Sequence, residues 1–295
     1  MKNLPRVVVV TRKTPYEELI ARHATRLQAE FFLKQRGQSL AEVEAVHHRF
    51  LAAVAEVQAA IPLDWRRNLV PREDLDRFLF EPDDVVVVVG QDGLVANVAK
   101  YLSGQLVIGV NPTPDRFDGV LVRHPPSAMQ PLLRAAVHGE LCAVERCMVS
   151  AELDDGQRLC ALNELFLGQR THQSARYELE LADQHVKHCS SGVIVATGTG
   201  ATGWARSIHL ERHSNVALPK PDDPCLAFFV REAFPSVSSS TDLTEGLIGN
   251  GISLVITSRM DNGVIFGDGI EADYLRFDWG VRARIHLAEQ RLRLA

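Results

Sequence analysis

Three short stretches of this chain concentrate residue types that do chemistry. The first is Gly90-Gln91-Asp92-Gly93, directly after five consecutive valines, Val85–Val89. Two glycines permit a tight turn with exposed backbone around a single carboxylate. A carboxylate at the carboxyl end of a buried strand stands where open α/β sheets bind their ligands, so Asp92 is a candidate base. The plainer alternative is an ordinary strand-to-helix turn with a solvated Asp. The second stretch runs from Gly192 to Trp204 and contains Thr197-Gly198-Thr199-Gly200 followed by Thr202. Backbone N–H groups and threonine hydroxyls at the start of a helix suit a phosphate or nucleotide, and a mobile glycine turn is the alternative. The third is Asn163-Glu164 inside the apolar run Leu162–Leu167. An amide beside a carboxylate can hydrogen-bond ribose hydroxyls or a carboxamide, although a solvated pair at a strand end is commoner.

Other chemistries find little support. Gly198, Gly200 and Gly203 form a G-x-G-x-x-G, and Asp222 and Asp223 follow about twenty residues on. Those aspartates sit among prolines before a strand, so the βαβ unit of a dinucleotide-binding oxidoreductase is missing. His209 and His213 stand four apart on an expected helix, but no third ligand accompanies them and no protein-held metal is assigned. There is no Walker A sequence and no G-x-S-x-G elbow.

The elements that must position these residues alternate at first. A strand at Val7–Val10 is followed by a helix from Pro15 to about Arg36, stopped by Gly37. Ser39 and Glu42 have capping-box spacing, and Leu40, Val43, Val46, Phe50, Val54 and Val57 mark one apolar helix face. Residues 62–72 read as a linker. The valine strand, a helix over Val95–Leu102 and a strand at Gln105–Val110 make a βαβ unit, parallel and right-handed. After Asn111-Pro-Thr-Pro-Asp115 and a short helix near Pro131–Gly139 the chain becomes strand-rich. Strands are expected at 146–153, 159–167, 175–181, 192–197, 226–231, 252–260 and 281–287. The fold class is an α/β N-terminal domain with a parallel sheet plus a mostly β C-terminal domain. The boundary is expected near residues 112–124, giving domains of 1–122 and 123–274.

Composition narrows the partners. The 295 residues suffice for two domains with real cores, and the chain carries a net charge of −5. No basic block is interleaved with aromatics, so nucleic acid is not an expected partner. No apolar run approaches the ~20 residues that span a bilayer, so no membrane is expected. Five cysteines without a C-x-x-C pair fit a reducing compartment, and the expected location is cytoplasmic.

Order and spacing connect the pieces. The glycine turn, Gly109-Val110-Asn111, Asn163-Glu164, Thr197-Gly198-Thr199-Gly200 and a late Gly267-Asp268-Gly269 occur in a series that resembles the NAD kinase family. The resemblance is closest to its mitochondrial-type branch, through 109–119, 162–168, 190–200 with Trp204, the N-terminal 7–17, and Arg231-Glu-Ala-Phe with Ser238–Ser240. It implies ATP-dependent phosphorylation of the 2′-hydroxyl on the adenosine ribose of NAD(H), with Mg²⁺ accompanying ATP. By the same resemblance Asp92 is the base and Gly90, Gln91, Gly93 and Asn111 belong to the nucleotide site. Asn163 and Glu164 hold the nicotinamide-side ribose region, and Thr197, Gly198, Thr199, Gly200, Thr202 and Trp204 the adenosine part. The implied fold places the dinucleotide between two domains, returns the final segment, 275–295, to the first, and forms a homodimer.

Two positions depart from the family's G-G-D-G-T turn: Gln91 replaces its second glycine and Leu94 its threonine. A Gln side chain occupies space that a phosphate oxygen would use, and it is strained if the backbone there has positive φ. The departures leave a slower kinase, another donor such as polyphosphate, or a catalytically silent NAD(P)-binding protein as alternatives. A lipid or sugar kinase sharing only the glycine turn is disfavoured by the dinucleotide-side matches.

Overall fold

The computed structural model describes residues 5–295, so the first four positions of the expected N-terminal domain lie outside the described residues. Contacts divide the chain into two units, the described residues up to Val144 with Arg293–Ala295, and Glu145–Leu292. The division falls later than residues 112–124 because the helix after that loop buries Met129 and Leu133 in the first unit's core.

The first unit opens with β1 (Arg6–Thr11), whose four valines are buried on both faces. Three helices follow, α1 (Pro15–His23), α2 (Arg26–Lys34) and α3 (Leu40–Ala59). The single helix expected over 15–36 is two, because Ala24 takes a left-handed φ of 61° and the Thr25 side chain accepts the Gln28 N–H to start α2. The working capping box is Thr14 with Glu17, while Ser39 makes no side-chain cap. Within the expected linker lies β2 (Arg66–Pro71), parallel to β1 at the sheet edge. Then come β3 (Val85–Val89), α4 (Asp92–Ala99), β4 (Leu106–Val110), α5 (Met129–His138) and β5 (Val144–Arg146).

The sheet order is β2-β1-β3-β4, then the strand Leu292–Leu294, then β5. The first five are parallel, as the valine runs predict. Val85, Val87 and Val89 pack against Val54 and Val57 of α3 and Met129 and Leu133 of α5. Val86 and Val88 point the other way and are equally buried. Each such valine contributes about 1.5–3 kcal/mol of burial. Little of the expected C-terminal return takes place: only residues 293–295 rejoin this unit.

The second unit is a sandwich of two six-stranded antiparallel sheets. In chain order its strands are β6 (Val149–Leu153), β7 (Arg158–Ala161), β8 (Glu164–Gln169), β9 (Ala175–Leu181), β10 (Gln184–Ser190) and β11 (Val193–Ala196). After α6 (Trp204–Arg212) come β12 (Cys225–Val230), β13 (Glu245–Gly249), β14 (Leu254–Ser258), β15 (Gly263–Gly267), β16 (Tyr274–Arg276) and β17 (Arg282–Leu287), and Leu292–Leu294 is β18. The sheets run β10-β9-β14-β17-β6-β7 and β13-β12-β11-β8-β15-β16. Their inner faces share one core that includes Tyr177, Ile256 and Ile285 from the first and Val195, Phe228 and Ile265 from the second. α6 covers the outer face of the second sheet with Ala205 and Ile208 against Ile194 and Phe229, which is why β12 is apolar throughout. Among the described residues no helix is long and apolar enough to cross a membrane.

Candidate functional site

In the first unit the site begins at the carboxyl end of β3. Asp92 is the first residue of α4, with Gln91 as its N-cap. The Asp92 carboxylate accepts three backbone N–H groups: Val120 on Oδ2 at 3.0 Å, and Leu121 and Val122 on Oδ1 at 2.8 and 3.1 Å. A carboxylate has about four lone-pair positions, so one on Oδ2 stays open to a hydroxyl proton. The segment it grips packs on β4, since a Cβ at Gly109 would come within 2.0 Å of the Leu121 carbonyl oxygen. His124 N–H donates to Gly109 and Asn111 N–H to His124, completing the clasp.

The glycine turn is less unusual than its sequence. Neither Gly90 nor Gly93 has positive φ, and a Cβ at Gly93 would meet open space. Gly90 matters through contact, with a Cβ falling 3.1 Å from Leu94 Cδ2. Gln91 has φ −107° and ψ 166°, extended backbone that carries no strain. Leu94 is 1% exposed, turned into the fold, so its position offers no hydroxyl-like contact to a ligand.

A cavity of about 310 Å³ adjoins this turn, within the first unit. Arg12 and Lys13 from the β1–α1 loop, Gln91, and Arg116 from the loop after β4 reach it, and Val46 and Phe50 of α3 form an apolar wall. Gln91 Oε1 accepts a hydrogen bond from Arg12 Nη2 at 2.9 Å. Asn111 is no ligand to this cavity but a buried brace: its Nδ2 donates to the Phe117 carbonyl and its Oδ1 accepts the Thr113 N–H. It thereby shapes the loop that carries Arg116.

In the second unit Asn163 and Glu164 occupy a corner between β7 and β8, not the middle of one strand over 159–167. The corner is held from across the sheet by Asp268, whose carboxylate accepts the Leu162 N–H at 2.9 Å and the Asn163 N–H at 2.7 Å. Burial, reinforced by the charge of Asp268, pushes the Glu164 carboxyl up to about 7. Glu164 is therefore half protonated near neutrality and can donate as well as accept a hydrogen bond.

The Thr-Gly loop packs against that corner. Thr197 Oγ1 donates to the Leu162 carbonyl at 2.6 Å and accepts the N–H groups of Thr199 and Gly200. Thr202 Oγ1 donates to the Thr199 carbonyl, and the Arg146 Nη1 reaches Thr199 Oγ1 at 3.4 Å. The Thr197 and Thr202 hydroxyls and the N–H groups of Thr199 and Gly200 are thus engaged within the protein, which corrects the expectation that these groups wait for a phosphate. The glycines serve close packing: a Cβ at Gly198 would fall 1.7 Å from the Lys220 carbonyl oxygen, and one at Gly200 2.1 Å from that of Asn163. Trp204 is 37% exposed, stacks on Phe166 at 6.0 Å, and lies 5.2 Å beneath the Arg231 guanidinium. His213 ends α6 in a left-handed conformation, a helix stop.

Thus the structure gathers Gly90, Gln91, Asp92, Gly93 and Asn111 in one unit, and Asn163, Glu164, Thr197–Gly200, Thr202 and Trp204 in the other. Sequence reasoning did not single out Arg12, Arg116 or Asp268 as site residues. For Asp268 the signal was the late Gly-Asp-Gly, and its φ of 53° suits an Asp flanked by glycines. For Arg12 it was a cation just past the carboxyl end of a buried strand.

No family model matches the chain. It is 25% identical over 315 residues to "NAD kinase 2, mitochondrial" of Homo sapiens, spanning 77% of this chain and 70% of that protein. It is 33% identical over 140 residues to an NAD kinase of Hahella chejuensis, spanning 44% and 46% of the two chains. The fold matches the crystal structure of an NAD kinase from Archaeoglobus fulgidus in complex with ATP, with a TM-score of 0.59 and 20% identity over 98% of this chain and 92% of that one. The chain is thus similar to NAD kinases, the mitochondrial type included, and the expected α/β domain with a mostly β second domain is present.

Proposed function

We propose that this chain is an NAD kinase that transfers the γ-phosphoryl group of ATP to the 2′-hydroxyl of the adenosine ribose of NAD, with Asp92 as general base. Its relatives support an NAD kinase-like phosphotransferase. The observation that carries the role of Asp92 is its geometry: three N–H donors fix the carboxylate and leave a position on Oδ2 open. In this reading Oδ2 takes the hydroxyl proton, the ribose oxygen forms a bond to the γ-phosphorus, and the bond to the β-phosphate oxygen breaks to release ADP. Such transfer is mainly positioning and charge neutralisation, and a positioned base adds roughly 10²–10⁴ in rate. Asn163 and Glu164 hold ribose hydroxyls. Trp204 and the Thr-Gly loop face the adenosine part, the loop acting largely through its shape since the Thr197 and Thr202 hydroxyls are engaged.

Mg²⁺ arriving with ATP would supply charge neutralisation on the transferring group. Glu42, which lines the cavity beside the glycine turn, is a hard oxygen donor suited to it. The alternative is a catalytically silent NAD(P)-binding protein, for which Gln91 and Leu94 speak; an unstrained Gln91 backbone and an inward Leu94 favour the kinase. The test is NADP formation from purified protein, NAD, ATP and Mg²⁺, with Asp92→Asn in parallel. Turnover that disappears in the variant supports the reading. Turnover that survives removes Asp92 from the base role, and none from the wild type with any donor removes the kinase.

A further inference from the structure

The Thr-Gly loop is held on three sides by its own unit. Gly200 packs on the Asn163 backbone and Gly198 on the Lys220 carbonyl. The third hold is a side chain: Arg146, the last residue of β5, reaches Thr199 Oγ1 with Nη1 at 3.4 Å. Arg146 is 4% exposed and Thr199 6%, so a full charge and a hydroxyl are buried together at the loop. Taking a guanidinium out of water is costly, and a buried polar group that persists despite the cost can serve to fix one geometry. The base from which Arg146 reaches is itself fixed. The next residue, Cys147, donates its N–H to the Pro221 carbonyl at 3.4 Å. The turn that carries Pro221 is closed by Lys220 N–H on Asp223 Oδ2 at 2.7 Å and by Asp223 N–H on the Lys220 carbonyl at 3.0 Å. One turn therefore anchors Arg146 and abuts Gly198.

We infer that Arg146 is a positioning residue for the dinucleotide and acts through Thr199. The inference rests on the dinucleotide side of the kinase reading, in which the Thr-Gly loop faces the adenosine part. It follows from the polarity of the hydrogen bonds. A guanidinium only donates, so Thr199 Oγ1 is an acceptor toward Arg146 and its own O–H proton is left for another partner. The three threonine hydroxyls of the loop differ in this respect. Thr197 gives its proton to the Leu162 carbonyl and Thr202 gives its proton to the Thr199 carbonyl. Thr199 Oγ1 makes no other hydrogen bond among the described residues. Arg146 thus sets the hydroxyl as a donor toward an acceptor on the adenosine part, a ring nitrogen or a ribose oxygen. At 3.4 Å the contact is longer than the ~2.7–3.2 Å of a strong N–H···O bond, so it contributes direction more than strength.

The test uses the intact protein, steady-state kinetics in NAD and in ATP, and calorimetry with NAD as the probe. Arg146→Met raises KM and Kd for NAD about tenfold and leaves KM for ATP within about twofold, and Thr199→Val does the same. The double variant is no weaker than either single one, because both substitutions remove the same contact to the dinucleotide. Arg146→Lys keeps a donor but not the planar fork, so it weakens NAD by a smaller factor, about threefold. A melting temperature close to that of the wild type establishes that each variant is folded, and Arg146→Lys carries the comparison if Arg146→Met is not. The assignment is overturned if the folded Arg146 variants bind NAD as the wild type does, if KM for NAD and for ATP rise equally, or if the effects at Arg146 and Thr199 multiply in full. A wild type that makes no NADP with any donor yet binds NAD removes the kinase reading and leaves the calorimetric comparison to decide the role of Arg146. A wild type that neither turns over nor binds NAD removes both.

Discussion

The backbone N–H of Asp268 donates to the carbonyl of Glu164 at 3.1 Å, so the two acidic residues are tied by one main-chain hydrogen bond between β8 and the end of β15. Asp268 also gathers the two N–H groups that precede Glu164. One residue therefore both shapes the Asn163-Glu164 corner and, through its charge, opposes ionisation of Glu164.

The sign of the resulting pH dependence follows from the direction of the shift. The Glu164 carboxyl is raised to about 7 from an ordinary 4.5, so the folded protein holds this proton where the unfolded chain has lost it. Its contribution to stability is fully present below pH 4.5 and is lost as pH rises to 7, on the order of 3 kcal/mol. Glu164→Gln, which mimics the protonated form, flattens that stretch of the profile. Urea denaturation at pH 5 and pH 8 checks it: the difference between variant and wild type grows at the higher pH.

Removing the carboxylate of Asp268 leaves the Leu162 and Asn163 N–H groups without their acceptor. Asp268→Ala is expected to cost about 2–3 kcal/mol in stability and to raise KM for NAD, because the corner loses its shape. It also lets Glu164 ionise at lower pH. A pH profile for dinucleotide binding that keeps the wild-type midpoint in this variant contradicts the assigned coupling.

Asp92→Asn keeps the shape of the side chain but turns an NH₂ toward one of three N–H donors. The expected result is a fall in kcat of at least about a hundredfold together with a stability loss of about 1–2 kcal/mol. Calorimetric NAD affinity separates the two effects. If the whole loss of activity tracks the melting transition, the carboxylate serves only as a strut for residues 120–122.

Gly93 and the glycines of the Thr-Gly loop are predicted to respond in opposite ways. Gly198→Ala and Gly200→Ala drive a Cβ into carbonyl oxygens and should cost more than about 2 kcal/mol. Gly93→Ala meets open space within α4 and should be neutral or stabilising by up to about 1 kcal/mol. Thermal melts of the three variants rank them, and a destabilised Gly93→Ala counts against the described turn.

Much of this was legible because burial writes itself into composition. Val85–Val89 could only be a strand covered on both faces, and the turn after it had to sit at a carboxyl end. Some of what escaped notice lacked such a mark, although the apolar β15 was missed as well. β2 and β10 are edge strands rich in Arg, Gln, His and Lys, with no apolar alternation. The break at Ala24 uses left-handed backbone at a residue that gives no warning of it. The apolar run 159–167 hides a corner, since the carboxylate that bends it comes from Asp268, far along the chain. For the same reason the Thr-Gly loop looked like a donor-rich anion cradle, whereas its glycines answer to the backbone of Asn163 and Lys220.

The strand Leu292–Leu294 lies between β4 and β5 in the first unit's sheet, and the Ala295 N–H donates to the carbonyl of Val107. During synthesis β4 must therefore wait for its neighbour until the entire second unit has left the ribosome. The glycine turn and the cavity beside it can form early, but the sheet that carries them closes last. A ribosome stalled before residue 292 would hold a chain with an open sheet edge, ready to pair with another nascent strand or to recruit a chaperone.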